Sequence, residues 1–511
     1  MTEISQETSS DSPYSIAAAS LSANAPENAK RNSLVINLML VATFVVFLNE
    51  TIIGVALPRV MTDLKVDAST GQWLSTGFML TMAVVIPITG FLLQRFNTRP
   101  IFILAMSLFS LGTFTAAIAP GFEILLAGRI VQASGTAIMM PLLMTTVMQL
   151  VPPQSRGKTM GNISIVMSVA PAIGPIIAGL ILSVFQWRAM FFIVLPIAIG
   201  ALVLGALRVK NVTEPTKTSI DALSVILSAF GFSGVVYGLS SLGEAAAGHA
   251  TAPSWIPLTV GVVALALFII RQLRLQKSDR ALLDLRTFTS RGFTISIALM
   301  AVMMMALFGT VILLPIYMQR VLDLKPLDVG IALLPGGLLM GLLGPVVGRL
   351  FDKIGPRPLV VPGAITVSAA LWTMTLFDRH TSFAMILVTY TVLSAGLAFM
   401  FTPLFTSSLG SLKPHLYSHG SATLATIQQV AGAAGTALFI ALYTLTLVHQ
   451  GEQGASMHDA RAAGIHSAFM WGAIISLLAI IGAFFVPKPD STFEHASLDD
   501  SSGALEGSSG A

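Results

Sequence analysis

The chain has 511 residues, 54% of them hydrophobic and only 10% charged, with a formal net charge of +4, a mean hydropathy of +0.82 and no cysteine. Soluble globular proteins devote about 25% of their residues to charge, so this chain cannot cover a water-facing surface of its own size, and a soluble enzyme or nucleic-acid-binding domain is excluded. The lack of cysteine removes disulfides and thiolate metal sites.

Residues 1–33 are rich in Ser and Ala, have neither an apolar core nor a cleavage pattern, and read as a disordered tail rather than a signal peptide. Apolar segments of spanning length then follow near 34–57, 73–94, 100–119, 124–148, 161–183 and 189–207. Two more lie near 220–241 and 255–272, and six near 293–316, 329–350, 358–377, 383–407, 420–447 and 465–486. Residues 488–511, ending "SSGALEGSSGA", read as a second disordered tail. The predicted fold class is an all-α polytopic membrane protein with 14 transmembrane helices, and the even number puts both termini on one side.

Lysine and arginine select that side. With the N-terminus inside, twenty of the 28 basic residues fall in cytoplasmic segments, six of them in the 271–291 connection "RQLRLQKSDRALLDLRTFTSR". Seven fall outside (Arg59, Lys65, Arg188, Arg320, Lys325, Arg379 and Arg461), and one, Arg129, falls within a span. Both termini are therefore expected in the cytoplasm.

Residues 87–100, "PITGFLLQRFNTRP", and 345–358, "PVVGRLFDKIGPRP", share P-x-x-G-x-L-x-[QD]-[RK]-x-x-x-R-P without a gap, at an offset of 258. "ALP" at 56–58 and "LLP" at 313–315 match at nearly the same offset. Span 9 is thus the counterpart of span 1 and span 10 of span 2. The expected organisation is a six-helix half at 34–208, two linker helices at 209–275 and a second six-helix half at 276–487. Parallel repeats of this kind place a central site that alternates between the membrane faces.

The motifs in this frame resemble those of the major facilitator superfamily, in particular its fourteen-span drug:proton antiporters of the EmrB/QacA type, over residues 34–487. The family's loop after span 2 resembles G-x-L-x-D-R-x-G-x-R. The second copy here, with Gly348, Arg349, Asp352, Gly355 and Arg357, matches it well. The first copy has Gly90 and Arg95 but departs at Gln94, where Asp is usual, and at Asn97, where Gly is usual. The resemblance implies that these loops act as gating latches, with the second half carrying more of the load. Arg129-Ile130-Val131-Gln132 resembles the span-4 signature, with Ala133 in place of Gly. "APAIGPIIAG" at 170–179, with Gly174, Pro175 and Gly179, resembles the antiporter motif of span 5, and Trp187-Arg188 with Phe191 resembles the opening of span 6.

Glu50 is the single acidic residue well inside a span, and Arg129 is its basic counterpart. A charge at the centre of a spanning helix costs roughly 2.5–3.5 kcal/mol on insertion scales, so such residues are functional by default. Counting 1.5 Å per residue puts both about 10 Å below the outer membrane surface, and Gln132 shares a helix face with Arg129. The functional reading is proton coupling by Glu50, Arg129 and Gln132: desolvation favours the protonated carboxyl, while a nearby Arg or a cationic cargo favours its ionisation. The alternative is a fixed Glu50–Arg129 ion pair that orders helices. The resemblance places the acid one position earlier, at Asn49, a rotation of about 100° around the helix. The counterpart of Glu50 in span 9 is Leu307, so coupling belongs to the first half.

Asn49, Asn162, Tyr317 and Gln428 are candidate substrate-cavity residues, with Tyr237, Tyr390 and Gln429 as further polar candidates. Met139, Met140, Met144, Met300 and Met303–Met305 suit either a promiscuous apolar wall or core packing. His380, His449, His458 and His466 lack ligand spacing, so no metal is expected. No phosphate loop is present, so energy comes from an ion gradient, with no cofactor.

The reading is a proton-coupled antiporter in the plasma membrane, a monomer in contact with membrane lipid, exporting amphipathic cationic drugs. The alternatives are a dedicated exporter of an amino acid, peptide or other metabolite, and a lipid flippase. No enzymatic activity and no nucleic-acid partner are expected.

Overall fold

Apolar segments in a bilayer have no water to satisfy their backbone, so each closes its own hydrogen bonds as a helix. The computed structural model describes residues 13–209, 211, 221–246, 253 and 255–487; the expected tails at 1–12 and 488–511 lie outside the described residues. The first half consists of α1 (Pro13–Leu64), α2 (Ala68–Arg95), α3 (Thr98–Ala117), α4 (Phe122–Leu150), α5 (Arg156–Val184) and α6 (Arg188–Arg208). A hairpin of α7 (Ala222–Ala246) and α8 (Trp255–Leu275) follows. The second half consists of α9 (Arg291–Arg320), α10 (Pro326–Ile354), α11 (Arg357–Met374), α12 (Phe383–Gly410), α13 (Tyr417–Glu452) and α14 (Met457–Ala483).

The described residues hold these fourteen long helices and no strand. Thirteen are long and apolar enough to cross a membrane; α11, only 18 residues and opening on Arg357, falls outside that set. One boundary differs from expectation. Helix α1 begins at Pro13, so it extends back through most of the segment expected as a disordered tail. Side-chain caps fix several helix starts: Asp67 accepts from the Thr70 amide, Ser290 from Phe293, Ser382 from Met385 and Ser456 from Asp459.

The packing repeats with the sequence. In the first half α1 packs on α4, α5 and α6, α2 on α4, and α3 on α4 and α6. Adding eight to each label gives the packing of the second half: α9 on α12, α13 and α14, α10 on α12, and α11 on α12 and α14. The halves meet along two seams, α5 with α10 and α2 with α13, which are images of each other under the same exchange. The extra hairpin lies against one seam only, with α7 packed on α2 and α13, where Trp73 stacks on Tyr237 at 5.9 Å between ring centroids.

The α5/α10 seam is an antiparallel glycine zipper. A Cβ built on Gly161 would stand 2.3 Å from the Gly344 carbonyl oxygen, and one on Gly348 would stand 2.1 Å from that of Gly157. Farther along, Cβ atoms on Gly341 and Gly337 would meet Val169 at 2.3 Å and Ala172 at 2.5 Å. Small residues let spanning helices approach to backbone contact. Beyond Ala172 and Gly337 the helices part: Gly179 and Gly330 have no atom within 4 Å of a Cβ position. The halves are thus locked on the face carrying the α2–α3, α4–α5, α8–α9, α10–α11 and α12–α13 connections, called below the basic face. The side-chain hydrogen bonds between the halves, Gln94 to His415, Thr145 with Ser421, Ser164 with Thr402 and the Asp352 contacts to the α5 start, gather toward this face, so the halves part as a cleft toward the opposite one.

Gly161→Val forces these backbones apart and is expected to destabilise the protein by about 1–3 kcal/mol, read as a lower midpoint of thermal unfolding in detergent. Gly179→Val, on the same helix but beside open space, leaves the midpoint unchanged. Equal effects of the two substitutions contradict the zipper.

Candidate functional site

The charged centre is built from α1, α3 and α4, which pack inside the first half. Arg129 on α4 is buried at 1% exposure. Its Nη1 donates to the Gln132 Oε1 at 2.6 Å, one helical turn on, and to the Asn49 Oδ1 of α1 at 3.4 Å. Gln132 in turn donates from Nε2 to the Thr113 hydroxyl of α3 at 2.8 Å. The guanidinium lies over the Phe78 ring of α2, 4.2 Å from its centroid, a cation–π contact. The Nε of Arg129 is buried without a partner.

Glu50 is placed differently from a fixed ion pair. It is half-buried, and among the described residues its carboxylate has no hydrogen-bond or ion-pair partner. The neighbour Asn49 is buried at 3% and takes the contact with Arg129. One residue of helical rotation therefore separates the group that holds the arginine from the group that carries the negative charge. Gly54, one turn beyond Glu50 on the same face of α1, has open space around it, so that face borders the cleft.

The antiporter-like motif touches this region. A Cβ on Gly174 would stand 2.1 Å from the Thr51 Oγ1, so α5 crosses α1 one residue from Glu50 at a place where only glycine fits. Pro175 follows inside the same helix, while Gly179 faces open space.

The two loop copies do different work. Asp352 accepts from the amides of Gly157 and Lys158 at 2.8 and 2.9 Å, so its carboxylate caps the start of α5 across the seam. Gln94 stands at the equivalent place and donates from Nε2 to the His415 carbonyl at 3.3 Å, ahead of α13. Gly355 sits at φ 81°, a left-handed conformation that favours glycine, whereas its counterpart Asn97 sits at φ −65° and needs none. Gly90 packs on Ala422 of α13, and Gly348 lies in the zipper. Arg357 donates to the Val486 carbonyl at 2.8 Å, while Arg95 and Arg349 are exposed on the basic face.

Two of the cavity candidates are corrected by the geometry. Tyr317 is fully buried in the second half, stacked on Phe377 at 5.5 Å, and donates to the Asp378 carbonyl at 2.6 Å, which ties α9 to the α11–α12 connection. Asn49 faces Arg129 rather than the cleft. Asn162 and Gln428 are half-buried, and the Gln428 Nε2 is buried without a partner. Met139, Met140, Met144, Met300, Met303 and Met304 belong to the packed core. Thr113 and Phe78 are the members of the charged centre that sequence reasoning missed; neither carries a signal, because both are brought in by neighbouring helices.

This helical arrangement is matched by the model of the Major Facilitator Superfamily over residues 39–436. The chain belongs to that superfamily, and it is a membrane transporter rather than an enzyme. It is 42% identical to the uncharacterized MFS-type transporter YcnB of Bacillus subtilis, covering 90% of this chain and 96% of that protein. It is 39% identical to the lincomycin resistance protein LmrB of the same organism, covering 91% of this chain and 98% of that protein. Among solved structures, the human organic anion transporter MFSD10 shares the fold with a TM-score of 0.61 at 15% identity, covering 89% of this chain and 99% of that one.

Gln132→Leu leaves the Arg129 charge without its shortest hydrogen bond, which is expected to cost about 1.5–3 kcal/mol. Glu50→Gln, which breaks no contact, stays within about 0.5 kcal/mol of the parent. Thermal unfolding of the two purified variants checks this, and a large loss in Glu50→Gln contradicts the placement of the carboxylate.

Proposed function

We propose that the protein is a proton-coupled antiporter that exports amphipathic, cationic small molecules across the plasma membrane, as a monomer, by alternating access of its two halves. The observation that carries this reading is Glu50: an acidic side chain at membrane depth, beside the cleft, with no partner among the described residues. The excess of Lys and Arg on the basic face supports a cytoplasmic position for that face and for both termini. The cleft is then the outward-facing form.

In this form Glu50 takes a proton from outside, and the neutral carboxyl lets the cleft close. When the cytoplasmic seams open, an arriving cationic cargo, together with movement of Arg129 toward Glu50, favours the ionised carboxylate, and the proton leaves to the cytosol. Arg129 is suited to that movement because its grip on α1 is a single long bond to Asn49, and its Nε has no acceptor to lose. The cargo travels outward as the seams re-form. Asp352 on the α5 start and the glycine zipper hold the outward-facing form together, so they act as the latch. Similarity to a protein named for lincomycin resistance supports a drug-like cargo.

A dedicated cargo is separated from a multidrug site by competition: ethidium and lincomycin inhibit each other's transport at a shared promiscuous site and do not at a dedicated one. The coupling test uses proteoliposomes with a pH-sensitive dye inside. Wild type is expected to drive ethidium against its gradient when a pH gradient is imposed. Glu50→Gln loses the gradient-driven component by at least about tenfold while keeping downhill exchange. Full gradient-driven transport by Glu50→Gln removes Glu50 from coupling.

A further inference from the structure

The two seams are images of each other, yet they are closed differently: α5 and α10 meet directly through glycines and the Asp352 cap. The α2/α13 seam holds a third element, the start of the α8–α9 connection. Leu282, Leu283 and Asp284 of this connection are buried at 2–3% exposure. Gln272 of α8 anchors them: its Oε1 accepts from the amides of Leu282 and Leu283 at 2.7 and 3.3 Å, and its Nε2 donates to Ser224 of α7 at 2.8 Å. Arg271 fixes the same corner through two bonds of 2.6 and 2.7 Å to Asp221 and holds that carboxyl well below the usual range. Leu282 and Leu283 pack with Phe91 of α2, Phe268 of α8 and Ala422 of α13.

His419 stands where these parts converge. It is 4% exposed. A Cβ on Gly90 of α2 would lie 3.5 Å from the His419 Nδ1 and 3.5 Å from the Leu283 side chain. The ring lies within reach of the Leu282 main chain, whose amide is already given to Gln272, and its Nδ1 is buried without a partner. The charged and titratable groups acting on the ring are Asp284 and Arg286 of the connection and His415 of the turn ahead of α13. Asp284 is already engaged by Arg286, through contacts of 2.8 and 2.5 Å to one carboxylate oxygen. Gly90 of α2 faces the ring, and Val225 and Phe232 of α7 pack on the adjoining Leu282–Phe268 cluster.

We propose that His419 is a second proton site, facing the cytosol, whose protonation holds the α2/α13 seam open and so suppresses the outward-facing form. Closure places Nδ1 in a pocket with no acceptor. A neutral ring with its proton on Nε2 satisfies that geometry, whereas an imidazolium adds a second N–H that has nowhere to donate. The closed seam therefore excludes the extra proton and the open seam accepts it. An imidazole in water titrates near about 6.5. Lowering the cytosolic pH from about 7.5 to about 5.5 thus disfavours the outward-facing form by about tenfold. Export slows in an acidified cell. The orientation and the alternation assumed here rest on the proposed function, but Glu50 plays no part.

The chain has no cysteine, so Gly54→Cys, in open space within the cleft, gives a single label site for a membrane-impermeant maleimide added outside proteoliposomes. With the outside pH fixed, lowering the inside pH from about 7.5 to about 5.5 is expected to cut the labelling rate by up to about tenfold. His419→Gln, which retains an amide donor at this position, labels at the same rate at both values, and so does His419→Asn should the glutamine variant fail to fold. The same series in a Glu50→Gln background keeps the response if His419 is the site. A drop in His419→Gln equal to the parent's, or no drop in the parent, overturns the proposal. A response that vanishes with Glu50→Gln but persists in His419→Gln overturns it while leaving the coupling role of Glu50 standing.

Discussion

An ionised carboxylate inside a spanning helix is stable only while water, a cation or a proton reaches it. In this transporter the requirement falls on one residue. Glu50 has no partner in the described structure, and the cleft on the face opposite the basic connections gives it access to solvent. In the proposed cycle its ionisation is tied to which face the cleft opens on. Arg129 is held by other groups instead: Asn49, Gln132 and the Phe78 ring take its guanidinium, and Nε is left without a partner. A direct ion pair in this low-dielectric setting would lock both charges and leave neither to exchange.

Two kinds of contact hold the two halves together on the basic face. The α5/α10 seam relies on backbone-to-backbone approach at Gly157, Gly161, Gly344 and Gly348, capped by Asp352 on the α5 amides. The α2/α13 seam has Gln94 in place of a carboxylate, donating to the His415 carbonyl at 3.3 Å, and Gln429 of α13 donating to the Met82 sulfur of α2 at 3.4 Å. There the α8–α9 connection fills the gap, pinned by Gln272 and covered by α7. The added hairpin accordingly buttresses the α2/α13 seam, which gives the two additional helices a mechanical place beside the two-half plan.

Much of the architecture was legible in the sequence because bilayer solvation leaves few choices. Long apolar segments become helices, and the 258-residue offset between the two loop copies recurs as an identical packing pattern of α1–α6 and α9–α14. The start of α1 was not legible, since Ser- and Ala-rich sequence is compatible with helix as well as coil. The depth match of Glu50 and Arg129 followed from residue counting, but their lack of direct contact did not. It depends on how α1 is rotated where it packs on α4, α5 and α6, which no local pattern specifies. Tyr317 looked like a cavity residue because a phenol in a span needs a hydrogen-bond partner. The partner is the Asp378 carbonyl, 61 residues away, which no local pattern announces. The Asp352 cap joins positions 195 residues apart, and the His419 pocket joins three separate elements. Such sites exist only once the halves have docked.

If cargo and proton use Glu50 alternately, cargo binding must release a proton even without any membrane. Purified protein in weakly buffered detergent, mixed with ethidium in the presence of a pH-indicator dye, is predicted to release protons on binding in wild type. Glu50→Gln is predicted to bind ethidium with no release. Undiminished release from Glu50→Gln, or binding by wild type with no release at any pH between about 5 and about 8, contradicts the account.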